Sequence, residues 1–134
     1  MNVLVDSDVV FDVYEKRQPH YPASNRVLCL ARRHAIAAAI ASHTLANLFY
    51  YYGKPVVPFV RDRLLESVEV VAADAFLLKV ALTWGFADLE DAMEAAAAQR
   101  WKASFLVTRN VRDFRRSPIP ALTPADFLRR FVRK

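Results

Sequence analysis

An α/β domain with a mainly parallel sheet of four or five strands and helices on both faces is predicted for this chain, on three observations. Short apolar runs recur along it, a stretch of helical periodicity follows each one, and proline, glycine or a capping aspartate separates them. With 134 residues, 54% of them hydrophobic and 25% charged, the chain can fill one core and has no room for a second. Residues 1–134 are therefore read as a single domain.

Val3-Leu4-Val5 is a β-branched apolar run ended by Asp6, which reads as a buried first strand. From Asp8 to Lys16 the apolar positions Val9, Val10, Val13 and Tyr14 recur at helical spacing. Pro19 and Pro22 break that helix, and Ala23 to Arg33 form the next, with Val27, Leu28, Leu30 and Ala31 inward. Ala35 to Ala41 is read as the second strand. Thr44 to Tyr52 is a helix stopped by Gly53, and Pro55 opens another to Glu66. Ser67 to Ala72 is the third strand. Asp74 caps a helix over Ala75 to Trp84, Gly85 closes it, and Asp88 opens one that runs to Trp101. Phe105-Leu106-Val107 is the fourth strand, Ala121-Leu122 a fifth, and Thr123-Pro124 begins a last helix to Val132.

Composition excludes several classes. Two glycines, Gly53 and Gly85, leave no glycine-rich phosphate loop, so dinucleotide oxidoreductases and P-loop nucleotidases drop out. One cysteine, Cys29, supports neither an internal disulfide nor a cysteine zinc site, and its apolar surroundings predict a buried structural thiol. The longest apolar run, Ala35 to Ala41, is far shorter than the roughly 20 residues of a membrane helix. A cytoplasmic protein without membrane contact is expected. The net charge of +5 is unevenly spread: residues 1–99 hold 9 Lys/Arg against 12 Asp/Glu, and residues 100–134 hold 10 against 2. So basic an end, which includes Arg129, Arg130, Arg133 and Lys134, makes nucleic acid the leading partner class.

In parallel sheets ligands gather beyond the carboxyl ends of the strands, and there the acidic residues become informative. Asp6 follows strand one and Asn110 follows strand four. Asp88 and Asp91, three apart at a helix start, share one side, and Asp113 lies in a turn three residues after Asn110. Asp6, Asp88, Asp91 and Asp113 can thus converge on one cleft. Glu90 and Glu94 are read as a separate solvent-facing pair, and Asp12 as solvated. Carboxylates so close repel one another unless a cation sits among them, and an oxygen-only set suits Mg²⁺ or Mn²⁺. Phosphodiester cleavage by metal-activated water is the matching chemistry. None of His20, His34 and His43 is assigned a catalytic role.

Three segments, Val3-Leu4-Val5-Asp6-Ser7-Asp8-Val9-Val10-Phe11-Asp12, Asp88-Leu89-Glu90-Asp91-Ala92 and Val107-Thr108-Arg109-Asn110-Val111-Arg112-Asp113-Phe114, give the chain its likeness to a known family. Together they resemble the PIN-domain metal-dependent ribonucleases, which include the VapC toxins of toxin–antitoxin pairs. The resemblance implies a PIN-like fold over the whole chain, with Asp6, Asp91 and Asp113 as metal-site acids and Ser7 and Asp8 where the family commonly has Thr or Ser and then Asn. It also implies an RNA substrate, a small antitoxin partner and a homodimer. Where the family often has Glu on the helix after strand two, this chain has Asn47, which brings an oxygen but no charge. Asp88 is the extra carboxylate that would compensate. The expected mechanism has Asp6, Asp91 and Asp113 on the ion, Asn47 and Asn110 positioning water or ligand, and Arg109, Arg112 or Arg115 holding substrate phosphates.

Two other readings compete. Asp6-Ser7-Asp8 also resembles the start of haloacid-dehalogenase-type phosphatases, in which Asp6 would be the nucleophile, but the later motifs of that family fit poorly. A PIN-like module that binds RNA without cutting it is the other. The run Phe49-Tyr50-Tyr51-Tyr52 is too broad for one helix face to bury and offers a candidate protein-docking patch.

Overall fold

The computed structural model describes residues 1–131, and the predicted end of the last helix at Val132, with Arg133 and Lys134, lies outside the described residues. Five strands, β1 (Asn2–Val5), β2 (Ala37–Ala41), β3 (Glu69–Val71), β4 (Phe105–Val107) and β5 (Ala121–Leu122), form one all-parallel sheet in the order β3-β2-β1-β4-β5. The four- to five-stranded parallel sheet expected from the sequence is therefore present.

Helices α1 (Ser7–Glu15) and α2 (Tyr21–Arg32) connect β1 to β2. After β2 the chain enters α3 (Ser42–Tyr52) and then α4, a helical segment over residues 54–67 that contains a π-turn at Val60–Leu64. Helices α5 (Ala75–Leu82) and α6 (Leu89–Arg100) lead from β3 to β4, and α7 (Pro124–Phe131) follows β5. Gly53 closes α3 at φ +64°, where its N–H donates to Phe49 O at 2.8 Å; a side chain there would be strained.

Alternation along β1 divides the core. Val3 and Val5 pack with Val9, Val27, Leu28, Leu48 and Phe127 on one face, and Leu4 packs with Ala39, Leu77, Leu106 and the alanines of α6 on the other. With both faces covered, Val3, Leu4 and Val5 are fully buried. The strand order reverses at β1, so the crevice beyond Val5 and Val107 is the topological switch point of the sheet.

Element ends differ modestly from expectation. β2 begins at Ala37, because His34 takes a left-handed φ of 60° and Ala35 N still bonds Leu30 O at 2.9 Å, which makes 34–36 the exit of α2. α5 stops at Leu82, where the Thr83 hydroxyl donates to the Val80 carbonyl at 2.6 Å. Cys29 is half-buried rather than buried and lies 3.9 Å from the Arg63 guanidinium. No helix among the described residues is long and apolar enough to cross a membrane.

Candidate active site

β1 ends by delivering Asp6 into the crevice. Its backbone N–H still continues the sheet, donating to Val107 O at 2.9 Å, while the side chain caps α1 through Ser7 N at 2.8 Å. The buried Thr108 hydroxyl donates to the other carboxylate oxygen at 2.8 Å. Burial, then the nearby charges of Glu94 and Asp8, push the Asp6 carboxyl well above the usual range, and the two hydrogen bonds only partly oppose them.

Asp8, at the start of α1, is held by the loop after β4. Its Oδ2 accepts from Asn110 Nδ2 at 2.8 Å and Arg109 N at 3.2 Å, and the Thr108 hydroxyl lies 3.3 Å away. Oδ1 is buried without a partner. Burial raises this carboxyl too, against the opposing charge of Arg109. Asp12, a further turn along, is wholly buried rather than solvated and accepts from Arg109 Nε at 2.6 Å.

The third contribution comes from α6. Asp88 caps it, accepting from Asp91 N at 3.0 Å as predicted. Asp91 faces the crevice, and burial, followed by the charges of Asp88, Asp113, Glu94 and Asp8, raises its pKa to about 6. Glu94 lies one turn deeper and corrects the expectation of a solvent-facing residue: it is 1% exposed. The alanines at 92 and 95–98 bury this helix against the sheet, so a carboxylate among them must find polar partners. It finds Ser7 Oγ at 3.0 Å, His43 Nε2 at 3.2 Å and Thr44 Oγ1 at 3.4 Å, all on Oε1, while Oε2 is buried and unpaired.

These side chains enclose a cavity of about 210 Å³ lined by Asp6, Asp8, Asp91, Glu94 and His43, with Ser7, Asp88, Glu90 and Asn110 completing it. Among the described residues no Lys or Arg lines it. His43, to which the sequence assigned no role, is its one basic side chain. Burial opposes protonation of His43, but the hydrogen bond and charge of Glu94, with Glu90 and Asp91, outweigh it and raise the pKa.

A family model described as "PIN domain" matches residues 2–112. The chain belongs to the PIN domain family. A search of curated proteins finds no significant match. Solved structures of similar fold include VapBC2 from Rickettsia felis bound to a promoter DNA fragment (20% identity over 92% of this chain and 98% of that one, TM-score 0.70). A toxin–antitoxin complex from Klebsiella pneumoniae (21%, 91% and 97%, TM-score 0.68) and FitAcB from Neisseria gonorrhoeae (17%, 92% and 98%, TM-score 0.63) are others. At such identities the likeness is one of fold.

Within this PIN domain the predicted site residues separate into groups. Asp6, Asp88, Asp91 and Asn110 line the one cavity. Asp113 lies next door, in a groove that shares Asp88 and Asp91 with the cavity and also takes Arg112 and Arg115. Asn47 does not line the cavity; its amide donates to Glu90 Oε1 at 2.6 Å and so holds a residue of the rim. Arg109 turns away from the cavity to Asp12. The residues that sequence reasoning missed are Glu94, His43, Thr44 and Thr108. Glu94 carried a signal, since it lies three residues after Asp91 and therefore on the same helix side. The other three are assembled by tertiary packing.

The donor set fits a hard divalent ion. It is rich in carboxylate oxygen, holds no arginine or lysine, and contains two buried oxygens, Asp8 Oδ1 and Glu94 Oε2, with no hydrogen-bond partner. The acids are spread around the cavity rather than drawn together: among the described residues no three His, Cys, Asp or Glu side chains form a compact ligand cluster.

Proposed function

We propose that this PIN domain is a Mg²⁺- or Mn²⁺-dependent endoribonuclease, the toxin of a toxin–antitoxin pair. The observation that carries the reading is Asp6, Asp8, Asp91 and Glu94 around one cavity that, among the described residues, no lysine or arginine lines. Repulsion of this kind is relieved by a doubly charged ion, and Asp91, raised to about 6, still ionises at neutral pH to receive one. Asp6, Asp91, Asp8 and Glu94 would hold the ion, with Asp88 and Asp113 adding negative charge at the rim. When bound, such an ion supplies a water of lowered pKa and neutralises charge on a phosphoryl oxygen. Ser7, Thr44 and Thr108 orient the carboxylates, and Asn110 keeps Asp8 aimed at the cavity. An antitoxin partner, drawn from the toxin–antitoxin complexes of similar fold, and a homodimer, implied by the sequence resemblance alone, are part of this proposal.

The test is cleavage of single-stranded RNA by the purified protein with Mg²⁺ or Mn²⁺. Loss of cleavage with EDTA and in Asp6→Asn and Asp91→Asn, at unchanged circular dichroism, is the expected result. Absence of cleavage with either metal overturns the reading. A second reading, an RNA-binding module without turnover, draws on the lack of a compact three-acid cluster among the described residues and on Asn47 in place of Glu. Binding without cutting would favour it. The phosphatase alternative loses its basis with membership of the PIN family.

A further inference from the structure

Arg109, which does not line the acidic cavity, lines a separate one of about 200 Å³. Two helices begin there. Ala23 and Ser24 line it from the opening turn of α2, and Thr123, Pro124 and Ala125 from that of α7. Thr123 Oγ1 caps Asp126 N at 3.1 Å, and α2 has no side-chain cap. Each helix therefore keeps one N–H on the cavity, that of Ala23 and that of Ala125, with no acceptor among the described residues.

Ser24 is the decisive residue. It is fully buried, it lines the cavity, and its Oγ has no hydrogen-bond partner. Arg109 adds to it: its Nε donates to Asp12, while its two terminal nitrogens donate to nothing among the described residues. The lining contains no Asp or Glu among the described residues, and Asp126, the one acid in either opening turn, is paired with Arg129.

We propose that this cavity is a binding site for a terminal phosphate group, either inorganic phosphate or the monoester end of a mononucleotide. The site is distinct from the acidic cavity and does not depend on the nuclease reading. Asp12 already balances the charge of Arg109, so recognition comes from converging donors and from the positive ends of two helices. A phosphate presents acceptors in several directions at once, which suits a hydroxyl, a guanidinium edge and two backbone N–H groups. It would also supply the acceptor that the buried Ser24 hydroxyl lacks. Ser24 is buried while His20 and Ala125 are exposed, so the hydroxyl lies at the floor and these two at the mouth. A terminal phosphate reaches such a floor; an internal phosphodiester, with a nucleoside on each side, does not.

Inorganic phosphate is titrated into the full chain in EDTA, with affinity read by calorimetry and location by the amide resonances of Ala23 and Ala125. Saturable binding that shifts both resonances is expected. Adenosine 5′-monophosphate binding more tightly than phosphate would assign the site to a mononucleotide, and equal affinities to the free ion. Adenosine, and a dinucleoside monophosphate with only an internal phosphate, should not bind. Ser24→Ala should weaken phosphate about tenfold. Ala125→Glu, at an exposed helix start where an acid is compatible with folding, should abolish binding by placing a carboxylate at the mouth. Binding that does not saturate, or the same affinity in wild type and both variants, would overturn the site. Adenosine binding as well as its monophosphate would overturn the phosphate class, and equal binding of the dinucleoside monophosphate would overturn the terminal assignment.

Discussion

Ser7 Oγ donates to Glu94 Oε1 at 3.0 Å and thereby joins the first helix after β1 to the helix that carries Asp91. Thr44 Oγ1, 2.7 Å from Ser7 Oγ, completes the junction from α3, so three elements meet on one carboxylate oxygen. The relative position of Asp6, next to Ser7, and Asp91, one turn from Glu94, depends on it. Glu94→Gln keeps an acceptor for Ser7 but removes the charge, and should lower RNA cleavage by about 10- to 100-fold with little change in urea stability. Glu94→Ala leaves two hydroxyls and His43 without their acceptor and should cost about 2–4 kcal/mol. Single-turnover cleavage and urea titration together separate the two effects.

The raised pKa of Asp91 has a sign that stability measurements can check. The group is about 6 in the folded chain against an ordinary 3.8, so the folded state binds more protons between those values and loses stability as pH rises through them. At pH 7 the ionised carboxylate is a net burden in the metal-free protein. Two pK units correspond to about 3 kcal/mol, which screening at this half-exposed position reduces to about 1 kcal/mol. Asp91→Asn should therefore raise the metal-free Tm by about 2–6 °C at pH 7, and the gain should vanish near pH 4. Mg²⁺ should raise the Tm of wild type and not of the variant. A variant less stable than wild type at pH 7 would contradict the electrostatic account.

His43 should contribute stability of its own at acid pH. Its pKa is raised by Glu94, Glu90 and Asp91 against the effect of burial, so the stability it contributes is present below the ordinary value of 6.5 and lost as pH rises through the folded one. His43→Gln is expected to destabilise by about 1 kcal/mol at pH 6 and by much less at pH 9, as read from urea midpoints at the two pH values. An equal loss at both would mean that packing, and not the charge on the ring, is what His43 supplies.

Fold and site differ in how much of them can be read from residue order. β4 and β5 were legible to the residue, because Phe105-Leu106-Val107 and Ala121-Leu122 are apolar runs bounded by polar residues or proline. The start of β2 was not, since alanine carries little preference between strand and helix and only the left-handed turn at His34 sets the boundary. Asp6 and Asn110 were found because a strand end in a parallel sheet has a known meaning. Glu94 was lost for lack of contrast: in a helix so rich in alanine the buried and exposed faces look alike. His43 and Thr44 were beyond reach because their partner lies about fifty residues away, in an element that joins them only across the sheet.

Arg109 offers a last prediction, because its expected role and its observed one differ. A substrate-binding arginine would face the cavity; this one donates through Nε to the fully buried Asp12 at 2.6 Å, while its backbone N–H holds Asp8. The pair ties the loop after β4 to the middle of α1, and Asp12 keeps a second, unpaired oxygen, so the ion pair is its main compensation for burial. Removing one partner leaves an uncompensated buried charge, which typically costs about 3–5 kcal/mol. Arg109→Ala should lose about that much, whereas Asp12→Ala combined with Arg109→Ala should lose clearly less than the sum of the single changes. At temperatures where Arg109→Ala remains folded, its affinity for single-stranded RNA in EDTA should stay within about twofold of wild type. A clear loss of affinity in this variant would return Arg109 to the substrate-binding group.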